Sequence, residues 1–224
     1  MRWIARRASA TLLLAAALVA AGILPAAAQD ADRKAAEVLE RYSERSLEEA
    51  WRGSRALESL GDEVLPWLRP ALASSSPNQR LMAAKTLISL GETEGVEPSL
   101  IELARNAAAP RDRRVAAIRL LSDFSSSTSE TALRETLAGD GQTDAALRIA
   151  AATSLFAIKA DRDAAREALL PLLDVDDPEA REPAALALAR MGLFDGKVKS
   201  IRATSSSSRA SKGTRRASSS SRTG

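Results

Sequence analysis

The stretch Ser76-Pro-Asn-Gln-Arg80-Leu-Met-Ala83-Ala-Lys-Thr-Leu87-Ile-Ser-Leu90 decides the fold, because its pattern returns three more times along the chain. Arg80, Arg114, Arg148 and Arg181 stand 34, 34 and 33 positions apart. Each is followed three residues later by Ala (Ala83, Ala117, Ala151, Ala184) and seven residues later by Leu (Leu87, Leu121, Leu155, Leu188). The tenth residue on is always large and apolar: Leu90, Phe124, Ile158 and Met191. A fixed period in the thirties, with small and large apolar residues returning in phase, predicts helical hairpins that nest one against the next. Ala lets backbones approach, and the large residue at the tenth position is expected to fill the groove between hairpins.

Working outward, each repeat reads as a short first helix, a polar or Pro-containing loop, and a second helix that opens near the ladder Arg. The first full unit pairs Leu65–Ala73 with Pro77–Leu90, and the next pairs Gly95–Arg105 with Pro110–Phe124. Ser129–Ala138 pairs with Thr143–Ile158, and Arg162–Leu173 with Pro178–Met191. Upstream, apolar residues at Ala35, Val38, Leu39 and Tyr42 predict one face of a helix from Asp32 to Tyr42. Ser46–Leu60 follows with the stripe Leu47, Trp51, Leu57 and Leu60. Ser46 with Glu49 three residues on reads as a capping box, and Gly61 as a helix stop. Pro171 and Pro183 are expected to kink the last unit.

The run from Ala56 to Leu72 and from Ser76 to Gly91 resembles the short HEAT-like repeat found in phycobilin lyases, and the resemblance covers about residues 46 to 192. It implies an all-α fold, an α-solenoid of stacked antiparallel helix pairs of the HEAT-like or ARM-like kind. It also implies a protein-binding scaffold, with chromophore lyase or isomerase activity as the enzyme-class alternative. The Ser125–Ser129 loop departs from the family in lacking Gly.

Composition narrows the chemistry. The sequence has neither Cys nor His, so it lacks the thiolate nucleophile, the imidazole base and the usual zinc or copper ligands. Apolar residues make up 45% and aromatics only 3%, which suits Ala- and Leu-rich helices rather than sheets. The net charge of +3 hides a polarity: residues 29–196 carry 21 cations against all 29 acids, a net −8, whereas residues 197–224 carry eight cations and no acid.

Residues 1–28 read as an export signal, with Arg2, Arg6 and Arg7 ahead of the apolar run Thr11–Leu24 and small residues at Ala26-Ala27-Ala28 for cleavage before Gln29. The expectation is a periplasmic or secreted protein, membrane-anchored only if that segment is kept. Without Cys no disulfide holds it, and packing alone must. The organisation expected is thus a signal (1–28), a capping helix pair (29–61), about four repeats (62–196) and a disordered Ser/Arg-rich tail (197–224).

Among candidate sites, the row Arg80, Arg114, Arg148 and Arg181 would grip an acidic strand, or else pair internally, for instance Arg114 with Asp112 and Arg181 with Asp177. A cation near a helix start opposes the macrodipole unless compensated, which favours the internal reading. Asp174-Val-Asp176-Asp177-Pro-Glu179 offers oxygen ligands for calcium but lacks an EF-hand's Gly and spacing, and reads as an N-cap with Pro at the first helical position. Trp51 and Trp67 are either a stacking surface for a ligand or the end of the core. The tail residues Lys197, Lys199, Arg202, Arg209, Lys212, Arg215, Arg216 and Arg222 would hold a polyanion such as anionic lipid or cell-wall polymer, without aromatics to read a nucleic-acid sequence. No cofactor is called for, no metal site is expected, and a monomer with a protein or peptide partner is the reading.

Overall fold

The computed structural model describes residues 26–138 and 144–192; the expected basic tail and nearly all of the expected leader lie outside them. The described residues are all-helical: ten α-helices joined by short loops and 3-10 turns, with no strand among them. The described residues divide into two compact units, one ending at Ser129 and the other beginning at Glu130.

In the first unit, helix α1 (Ala26–Arg41) starts six residues ahead of the expected Asp32, because the Ala-rich approach to it is itself strongly helix-forming. It buries Ala31, Ala35 and Leu39 against its neighbours. Helix α2 (Leu47–Glu58) has the predicted capping box: the Ser46 hydroxyl accepts from the Glu49 N–H and the Glu49 carboxylate accepts from the Ser46 N–H. Its buried stripe, however, is Ala50, Gly53, Ser54 and Leu57 rather than Leu47, Trp51, Leu57 and Leu60. The reason is close approach. A Cβ on Gly53 would lie 2.5 Å from Met82 Sδ and 2.9 Å from Tyr42 Cδ2, so small residues take the centre of the buried stripe, with Leu57 at its end, and Leu47, Trp51 and Leu60 are left half-buried at the flanks.

Gly61, in the left-handed region at φ +67°, opens a 3-10 turn (Gly61–Val64) that leads into α3 (Leu65–Ala71). Helix α4 (Pro77–Ser89) is capped by Ser76 with Pro77 at its first position. Helix α5 (Val96–Arg105) and helix α6 (Arg111–Leu120, extended by a 3-10 turn Leu121–Asp123) complete the series. The second helices α2, α4 and α6 lie in a row, α2 on α4 and α4 on α6; α3 packs on α4, and α5 on both α4 and α6.

Helix α7 (Ser127–Ala138) begins two residues before the expected Ser129. The Ser126 hydroxyl accepts from the Ser129 N–H, so the serine run serves as a helix start where a loop was expected. In the second unit, α8 (Ala145–Ala157), α9 (Arg162–Leu169) and α10 (Pro178–Arg190) begin at the side-chain caps Asp144, Asp161 and Asp177. Pro171 stands at the start of a 3-10 turn (Leu170–Leu173), where its missing N–H has no partner to lose. Helix α10 runs unbroken through the exposed Pro183. The core of this unit gathers Ala152, Ala165, Leu169, Leu173, Ala184 and Leu188.

The ladder positions sort by burial. All four third-position alanines are fully buried, and the seventh-position leucines are no more than 1% exposed. Of the tenth-position residues only Met191 is buried in a core; Leu90, Phe124 and Ile158 are half-buried, and Leu90, Ile158 and Met191 are helix C-caps. After them the chain turns left-handed at Gly91 (φ +81°), Lys159 (φ +57°) and Gly192 (φ +75°). Bonds from Glu92 N–H to Leu87 O and from Ala160 N–H to Leu155 O close the helix ends in the Schellman manner.

Candidate functional site

Three of the four ladder arginines have acceptors inside their own unit. Arg80, whose side chain is 12% exposed, donates Nε–H to Ser74 O (2.6 Å) and pairs with Glu102 on α5 (3.0 Å). Arg114 donates Nε–H to Ala104 O in the last turn of α5 (3.0 Å). Arg148 reaches toward Ala168 O in the last turn of α9 (3.4 Å), and its Nε is buried with no acceptor. Carbonyls at helix ends are unsatisfied within the helix and carry the negative pole of its dipole, so a guanidinium placed there stabilises the adjoining helix. Arg181 is half-buried. These contacts favour an internal role for the three arginines, though not through the carboxylates named from the sequence.

Arg114 is not the partner of Asp112. Its neighbour Arg113 is, and Arg113 also donates to Asn78 Oδ1 (2.9 Å) and Arg45 O (2.6 Å). Asn78, 2% exposed, in turn donates to Tyr42 O (2.9 Å) and Arg45 O (2.8 Å), so one amide and one guanidinium satisfy the turn between α1 and α2. The ladder concealed this node because Asn78 and Arg113 are not at equivalent repeat positions. Asp177 likewise uses its carboxylate to cap Glu179 N–H (2.9 Å), and Arg181 meets it only through backbone. The calcium reading of 174–179 gains no support: no group of three or more metal-binding side chains gathers among the described residues.

The two tryptophans part company. Trp67 is buried, and its indole N–H donates to the equally buried Asp32 carboxylate at 2.5 Å, which makes it core. Trp51 is half-buried and lines a groove of about 540 Å³ on the row of second helices, together with Ser54, Arg55, Glu58, Lys85, Ser89 and Leu120. Helix α2 supplies four of these residues at Trp51, Ser54, Arg55 and Glu58, one helical face apart, and α4 supplies Lys85 and Ser89. Because α2 buries its small stripe, its large ring is left at the surface, over the groove.

Polar groups there are organised. Glu58 Oε1 accepts from the hydroxyls of Ser54 (3.2 Å) and Ser89 (3.0 Å), which ties α2 to α4 across the groove. Beneath, Ser54 and Thr86 are buried and hydrogen-bonded, Oγ1 of Thr86 lying 3.3 Å from Ser54 O. Among the described residues Arg55 and Lys85 make no salt bridge, so the groove presents two cations and one carboxylate that is already held by two hydroxyls.

Elsewhere, carboxylates serve helix starts. The Ser46 backbone N–H, then the Ser46 hydroxyl, hold the exposed Glu49 carboxyl below its ordinary range. The Ala164 N–H (2.8 Å), then the Arg134 guanidinium (2.5 Å), do the same for Asp161. No helix of the described residues is long and apolar enough to cross a membrane. No protein-family model matches the chain, and no curated protein or solved structure matches it.

Proposed function

We propose that the chain is an exported, non-enzymatic α-solenoid of the short HEAT-like kind, a scaffold that docks a partner protein or peptide on its row of second helices. The groove over Trp51 carries this reading: an amphipathic ring, two cations and a satisfied polar floor face solvent from two adjacent second helices. The repeat period supports the solenoid, the basic and then apolar start of the sequence supports export, and the lack of Cys and His weighs against lyase-like chemistry.

Photoreactive side chains placed at Arg55 and Ser89, in the groove, and at the exposed Glu102, on a first helix, test it in cells. The expected result is one discrete partner captured from both groove positions and not from Glu102. An identical adduct pattern from all three positions would remove the second-helix row as the docking surface. The cation cluster of 197–224 supports an accompanying role as an electrostatic tether to an envelope polyanion.

A further inference from the structure

Resting on the docking reading above, we infer that the groove over Trp51 takes an acidic, apolar peptide segment, with an aliphatic or aromatic side chain seated on Trp51 and Leu120 and a neighbouring carboxylate facing Arg55 and Lys85. Three features fix that chemistry. Trp51 and Leu120 offer apolar surface at the lining, and covering it removes oily area from water. Arg55 on α2 and Lys85 on α4 line the groove from two helices, so a carboxylate seated in it lies beside two positive charges.

Glu58 decides against the simpler alternatives. Its carboxylate is part of the lining, so a purely anionic strand with no apolar side chain meets one repelling charge beside two attracting ones and gains nothing from the ring. A basic peptide meets the reverse balance and is repelled by Arg55 and Lys85. The Ser54 and Ser89 hydroxyls both bind Glu58 Oε1, and Ser54 is buried, 1% exposed, so the carboxylate is held on the lining, where its single negative charge offsets only one of the two cations. The site therefore selects for apolar and acidic character together.

The test uses the full chain and fluorescein-labelled short peptides that alternate Leu with Glu, Leu with Lys, or Ser with Glu, read by anisotropy. The Leu/Glu peptide is expected to bind at least about tenfold tighter than either other peptide, and to weaken steeply toward ~0.5 M salt. Lys85→Met keeps the half-buried stem and removes the charge, and Arg55→Gln removes the exposed charge; each is expected to weaken the Leu/Glu peptide about tenfold with the far-ultraviolet circular dichroism unchanged. Trp51→Phe keeps an aromatic surface and is expected to weaken it less than Trp51→Ala. Equal affinity for the Leu/Lys peptide, no binding of any peptide, or indifference to both charge substitutions would overturn the inference. If the cross-linking at Arg55 and Ser89 still captured one partner, the docking reading would stand and only the proposed chemistry would fall; if neither experiment succeeded, both would.

Discussion

At Gly53 two effects oppose each other within one residue. Ala is the better helix former by ~1 kcal/mol, yet a Cβ there would meet Met82 Sδ and the Tyr42 ring well inside normal contact. Gly53→Ala is therefore expected to bring no gain in stability, and Gly53→Val a loss of about 1–3 kcal/mol, read from the urea midpoint at constant slope. A second residue-scale prediction concerns Trp67. Trp67→Phe removes the indole N–H donor, strands the buried Asp32 carboxylate and leaves part of the ring's buried volume empty, for a loss of at least about 1–3 kcal/mol. Combining it with Asp32→Leu should cost clearly less than the two single losses added, because the orphaned acceptor is gone. Strict additivity would mean that the contact contributes nothing of its own.

Helix ends are where individual elements are tuned. Helix α8 closes on Lys159 in the left-handed region, whereas α4 and α10 close on Gly91 and Gly192 at the same place after the C-cap. An L side chain there costs roughly 1–2 kcal/mol, so Lys159→Gly should raise the stability of the second unit by about that much, as a higher thermal midpoint. At the start of α9 the sign with pH is set by Asp161, whose folded carboxyl titrates below its ordinary 3.8 because of the Ala164 N–H and then Arg134. Its stabilisation is present above that ordinary value and is lost as pH falls through the lower folded one. Asp161→Asn keeps an oxygen acceptor for the Ala164 N–H but cannot titrate. Its unfolding midpoint should therefore fall less than that of the natural chain between pH ~5 and ~2.

For the whole molecule the decisive quantity is where charge sits. The sequence pI of 9.6 and net +3 describe neither the acidic body, at −8, nor the basic tail, at +8. Truncation after Gly196 should abolish retention on immobilised heparin at low salt, while the full chain is held and elutes as salt rises toward ~0.5 M. Undiminished retention of the truncated chain would show that the body carries its own polyanion surface and would end the tether reading.

The strict return of Ala and Leu after each ladder Arg determined the helical class and the placement of most helices, since local propensity and a 3.6-residue period act on neighbours in the chain. Caps at Ser46 and Asp177 were legible for the same reason: each bonds within three residues of itself. What the arginines hold, why α2 faces inward with Gly53 instead of Trp51, and how Asn78 meets Arg113 were decided only in three dimensions. These depend on how closely one helix lies on another, and a distance between residues on different helices leaves no local trace in the sequence. The groove is a product of that packing: small residues took the interface, and the ring that they displaced became a surface.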